Sequence, residues 1–68
     1  MTSDEYVVEA KKMGLTPIPG LETEDNWIMQ DREGHRHGVH KPYRLAPEQR
    51  RAALERLRRR VLPPGGSD

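Results

Sequence analysis

The chain has 68 residues, no cysteine, 32% apolar and 34% charged residues, and a formal net charge of +1. One domain of this length buries only about 60% of the surface its unfolded chain exposes, and its core rarely supplies more than about 3–5 kcal/mol. Disulfide stapling is excluded by composition, and no apolar run approaches the roughly 20 residues of a membrane span.

Thr2 is a good helix N-cap and Glu5 follows three residues later, the spacing of a capping box. Met1 and Tyr6 stand at the positions of a hydrophobic staple, and Tyr6, Val7, Ala10 and Met13 form an apolar stripe at helical spacing. Lys11 and Lys12 suit the negative end of the helix dipole, and Gly14 suits the left-handed residue beyond it. These signals predict a helix over about residues 3–13. Residues 15–26 read as a loop, because Pro17 and Pro19 remove two amide donors and Gly20 breaks the run. Leu15, Ile18 and Leu21 are expected to lay that loop along the core.

Trp27 to Gln30 has strand character, and Asp31-Arg32-Glu33-Gly34 suits a type I turn closed by a glycine bulge. His35 to His40 is then the return strand, with Met29 facing His37 and Trp27 facing Val39. That register gathers Trp27, Met29, His37 and Val39 on the core side and leaves Ile28, Gln30, Arg36 and Gly38 on the other. Lys41-Pro42-Tyr43 leaves the strand, and Ala46-Pro47-Glu48 opens a second helix with Pro47 at its first position. This helix is expected to run to about Leu62, with Ala53, Leu54, Leu57 and Val61 as its apolar stripe, until Pro63 and Pro64 stop it. The predicted fold class is α+β. A single small domain over residues 1–62 holds an N-terminal helix, a two-stranded β-hairpin and a C-terminal amphipathic basic helix; residues 63–68 form a flexible tail. A two-stranded hairpin is not stable alone in water, so both helices must cover it.

Charge divides the chain. Residues 1–31 carry two lysines against seven carboxylates, a net −5, and residues 32–68 carry ten Lys or Arg against four carboxylates, a net +6. Arg50, Arg51, Arg56, Arg58, Arg59 and Arg60 surround the apolar stripe of the second helix, with Lys41 and Arg44 just before it. Guanidinium groups bind phosphates and carboxylates through paired hydrogen bonds. Such a helix either contacts nucleic acid or neutralises the acidic half of its own chain.

His35, His37 and His40 lie within six residues and are the only metal candidates. Their spacing matches no standard zinc motif, His40 falls on the opposite strand face, and Arg36 between the imidazoles disfavours a dication. No metal or other cofactor is therefore expected. Nor is catalysis: there is no cysteine nucleophile, no G-x-S-x-G elbow and no Gly-rich phosphate loop. His37 near Glu33 or Asp31 is the one acid–base pair to be drawn.

Trp, Tyr and Arg dominate binding hot spots. The expected function is that of a small, non-catalytic accessory or inhibitor-like protein. It binds a larger protein, one that itself handles nucleic acid being a candidate, or a second copy of itself through the C-terminal helix. Trp27, Tyr43, Arg44, Arg50, Arg51, Leu54, Leu57, Arg58 and Arg59 are the candidate contacts. The alternative is direct nucleic-acid binding through Arg50, Arg51, Arg58 and Arg59 of the Arg-rich helix. No membrane partner is expected. The acidic start, Asp4 and Glu5, and the absence of cysteine give a cytoplasmic expectation for its location.

Overall fold

A computed structural model describes residues 1–61, so Leu62, the prolines expected to stop the second helix and the predicted tail over 63–68 lie outside the described residues. The elements in chain order are α1 (Ser3–Lys12), β1 (Thr16–Pro17), β2 (Asn26–Gln30), β3 (Arg36–His40), a 3₁₀ turn (Pro42–Arg44) and α2 (Pro47–Val61). The fold is α+β: an N-terminal helix, an antiparallel sheet of three strands in the order β1-β2-β3, and a C-terminal helix. No helix among the described residues is long and apolar enough to cross a membrane.

Helix α1 begins as its capping chemistry dictates. Thr2 Oγ1 accepts the Glu5 amide at 3.1 Å, and the Thr2 amide donates to Glu5 Oε1 at 2.8 Å. That backbone hydrogen bond holds the Glu5 carboxyl below its ordinary value. The helix ends where the Gly14 amide reaches the Lys11 carbonyl at 3.0 Å with Gly14 at φ 85°, a conformation that costs glycine no Cβ clash. The Arg32 side chain lies over this glycine, filling the space a Cβ would occupy.

The chain then enters β1, and here the two-stranded expectation is corrected to three strands. Thr16 pairs with Gln30, Pro17 with Met29, and the Ile18 amide donates to the Ile28 carbonyl at 2.9 Å. Pro17 is tolerated because it occupies a non-bonded position of an edge strand, so its missing N–H would point away from the sheet. Of the residues expected to line the core from this segment, Leu15 is fully buried and Ile18 half-buried, but Leu21 is 40% exposed. Leu21 lies after β1, where its amide reaches back to the Ile18 carbonyl at 3.4 Å at the start of the polar stretch that leads to Asn26.

The hairpin forms in the expected register: Trp27 pairs with Val39 and Met29 with His37. Its turn is fixed by Asp31, whose Oδ1 accepts the amides of Glu33 and His35, both at 2.9 Å. Gly34 at φ 90° closes the bulge and donates to the Asp31 carbonyl at 3.0 Å. After β3 the chain makes the unanticipated 3₁₀ turn, closed by Arg44 and Leu45 amides bonding to the Lys41 and Pro42 carbonyls. Helix α2 starts with Pro47 at N1, and Gln49 Oε1 accepts the Ala46 amide at 2.8 Å. This is the reciprocal half of a capping box with no side-chain cap opposite it.

The core lies between the two helices and the sheet face that carries Met29 and Val39. It comprises Tyr6, Ala10, Met13, Leu15, Met29, Val39, Leu54 and Leu57, each no more than 5% exposed. Ala53, Val61, Met1, Trp27 and Leu45 pack around it. The buried Tyr6 hydroxyl donates to the His40 carbonyl at 2.7 Å, and burial pushes its phenol above the ordinary value, so it stays a donor. The Cα extents of 34 × 28 × 15 Å allow only two layers, which leaves the far face of the sheet to solvent.

Candidate functional site

An open groove of about 430 Å³ lies between α1 and the β1 side of the sheet. Val7 of α1, Ile18 and Pro19 after β1, and Trp27 of β2 give it an apolar lining; Lys11 and Glu22 supply its charges. It exists because β1 holds the Pro17–Pro19 segment against β2, while Val7 stands one position off the buried Tyr6–Ala10–Met13 stripe. Trp27 packs against the core and is partly buried, with the remainder of its side chain in the groove. Lys11 is exposed and makes no ion pair among the described residues. Glu22 receives Lys41 Nζ at 3.1 Å. Lys41 is itself buried at 5% exposure, although in sequence it stands with Arg44 just before the basic helix.

The arginine candidates separate into different roles. Arg50 is structural: its Nε donates to the Pro42 carbonyl at 2.9 Å and its Nη1 to the Met1 carbonyl at 3.0 Å. It is therefore corrected from a surface contact to a half-buried tie, because at helical spacing it shares the inward face with Leu54 and Leu57. Arg44 pairs with Glu24 and Asp25 at 3.1 Å each. Arg58 approaches Glu9 at 3.9 Å, and Arg60 Nη2 donates to the Gly38 carbonyl at 3.2 Å. Arg51 and Arg58 line a second, charged groove of about 410 Å³ between the helices, together with Glu5, Glu9 and Glu55. Half of the expected basic face is thus paired with the chain's own carboxylates and carbonyls. Tyr43, 64% exposed, and Arg59 remain on the surface.

Leu54 and Leu57 are likewise corrected as partner contacts. At 5% and 2% exposure they belong to the core, so the stripe expected to meet a second copy is closed by α1 and the sheet.

Two of the three histidines gather around one carboxylate. His37 Nε2 lies 2.8 Å from Asp31 Oδ2 with both side chains nearly buried, and His35 Nδ1 lies 3.8 Å from the same oxygen. Asp31 Oδ1 is already filled by two backbone amides, and His40 stands on the opposite strand face. Among the described residues no three metal-capable side chains converge. The drawn His–carboxylate pair therefore exists as His37–Asp31, and neither of the two grooves is lined by it.

The pair has a measurable consequence. The Asp31 carboxyl is held at about 2, chiefly by the hydrogen bond from His37, with the His35 and Glu33 amides adding to it and burial opposing. A carboxyl depressed on folding stabilises the native state above its ordinary value near 4, and this contribution is lost as pH falls through the folded-state value. Asp31→Asn is thus expected to melt below the native chain at pH 7, and the gap is expected to close as pH approaches 2. Thermal melts across that window check it; a gap independent of pH would mean that charge on Asp31 does not hold the turn.

Comparison with protein-family models, with curated proteins and with solved structures finds no match to this chain.

Proposed function

We propose that this chain is a non-catalytic accessory protein that docks on a larger partner protein through the groove beside Trp27. The observation that carries the reading is a partly exposed Trp27 set in an apolar trough with Val7, Ile18 and Pro19, whereas the exposed Val8, Leu21 and Tyr43 line neither of the two grooves. Tryptophan in a shallow apolar recess is the residue type and setting from which binding energy is drawn. Lys11, exposed and lacking an ion pair among the described residues, favours an apolar side chain flanked by a carboxylate on the partner. The alternative of direct nucleic-acid binding keeps Arg51, Arg58 and Arg59 exposed on α2 but loses Arg50 to the fold.

The test places a photo-crosslinking residue at Pro19, which is exposed and lines the groove, and in a separate protein at Ala52, exposed on α2. In the native host, Pro19 is expected to give one discrete protein adduct that Ala52 does not give. Val7→Glu should reduce it about tenfold or more, because it sets a charge in the apolar contact and engages Lys11 one helical turn on, which is then lost to the partner's carboxylate. Adducts with nucleic acid from Ala52 and none with protein from Pro19 would replace this reading by the alternative.

A further inference from the structure

The ladder between β2 and β3 determines which backbone groups of β3 remain for a partner. The Lys41 amide donates to the Asp25 carbonyl and the Asp31 amide to the His35 carbonyl, both at 2.9 Å, and these two bonds bracket the pairing. Between them Trp27 faces Val39 and Met29 faces His37. Bonded and non-bonded pairs alternate in an antiparallel ladder. His37 and Val39 therefore bond to β2, and the main-chain groups of Arg36, Gly38 and His40 point out of the sheet.

Two of the three outward carbonyls are filled from within the chain: Tyr6 donates to that of His40 and Arg60 to that of Gly38. The three outward N–H groups have no partner among the described residues. The edge is thus rich in donors. It is also cationic: Arg36 and Arg60 make no ion pair among the described residues, and Arg36, Gly38, His40 and Arg60 are all exposed. A Cβ built on Gly38 meets nothing within 4 Å, so backbone can approach there without obstruction.

We propose that the β3 edge takes up an acidic, extended segment of a partner protein as a fourth strand. Strand addition gives main-chain hydrogen bonds, and side-chain charge gives selectivity. The partner's carbonyls meet the three donors, and its carboxylates meet Arg36 and Arg60. Arg60 guards the edge in the unbound chain: its guanidinium sits on the Gly38 carbonyl, and a carboxylate from the incoming strand draws it off. A second copy of this chain is the poorer occupant, because two-fold pairing about Gly38 brings two cationic edges together. The proposal rests on the reading of the chain as a protein-binding module and concerns a surface separate from the Trp27 groove.

The experiment titrates the isotopically labelled full chain with a short blocked peptide that alternates glutamate and valine. A lysine–valine peptide of equal length is the control. The glutamate peptide is expected to shift the Arg36, Gly38 and His40 amide resonances and to slow their hydrogen exchange about tenfold. Gly38→Ala, which keeps the amide and meets open space, should bind within about twofold of native. Gly38→Pro removes an amide with no partner inside the described fold and should lose affinity about tenfold or more. Arg36→Glu should lose a similar factor and serves where the proline variant does not fold. No binding, equal binding of the lysine peptide, unchanged exchange at the three amides, or undiminished binding by folded Gly38→Pro or Arg36→Glu would overturn the proposal. Val7→Glu separates the two surfaces. Its loss of the Pro19 adduct with peptide binding retained shows the two to be independent, whereas peptide binding with no Pro19 adduct from the native chain leaves the edge standing alone. A Pro19 adduct with no peptide binding leaves only the groove.

Discussion

Leu57→Ala is expected to leave the chain largely unfolded at 25 °C. Leu57 is 2% exposed and lies where α2 closes on α1 and the sheet, among Tyr6, Ala10, Met29 and Val39 in the same core. Cutting a buried leucine to alanine costs about 2–5 kcal/mol, part for lost transfer from water and part for the cavity. A domain of this size rarely has more than about 3–5 kcal/mol in hand. The two ranges overlap, so one side chain decides the balance. Leu57→Met, which keeps the volume, should cost less than about 1.5 kcal/mol. Urea melts followed by Trp27 fluorescence and far-ultraviolet circular dichroism give both values. A loss below about 1 kcal/mol for the alanine variant would mean that α2 is not part of a closed core. The loss should not depend on protein concentration, because the leucine is buried by its own chain.

Arg50→Ala is expected to cost about 1.5–3 kcal/mol, the range for a hydrogen bond made by a charged group. Its guanidinium joins three places far apart in sequence: the first residue, the 3₁₀ turn and α2. Alanine leaves both carbonyls to whatever water reaches them and frees the N-terminal end of α1. Lysine should restore only part of the loss, since an ammonium lacks the planar fork that holds two carbonyls at once. Arg59→Ala, at an exposed position of the same helix, should fall within about 0.5 kcal/mol of native. Equal effects of the two substitutions would show that Arg50 is not a tie. The comparison also bears on nucleic-acid binding, because a binding defect of Arg50→Ala must first be separated from unfolding.

What was legible in the sequence was local chemistry. Thr2 with Glu5, Gly14, Asp31 with Gly34, and Pro47 each act within four residues, and each stands where its spacing implied. The hairpin register was equally readable, since a shift of one residue would have exposed Met29 and Val39. What was not legible depends on distant neighbours. Pro17 reads as loop until β2 is known to lie on one side of it and solvent on the other. Arg50 reads as surface until two carbonyls, one of them 49 residues away, are brought beside it. Leu54 and Leu57 offered the same pattern to a partner and to their own core, and only packing chose between them. The Trp27 groove joins α1, the segment after β1, and β2, and no spacing rule spans those three.

The two margins of the sheet differ in kind. On the β1 side Pro17 stands at an outward position of the edge strand and brings no amide donor there. On the β3 side the outward amides of Arg36, Gly38 and His40 remain. A strand that must receive hydrogen bonds from this sheet finds donors on the β3 margin and none at Pro17, so the two margins are not interchangeable for a partner.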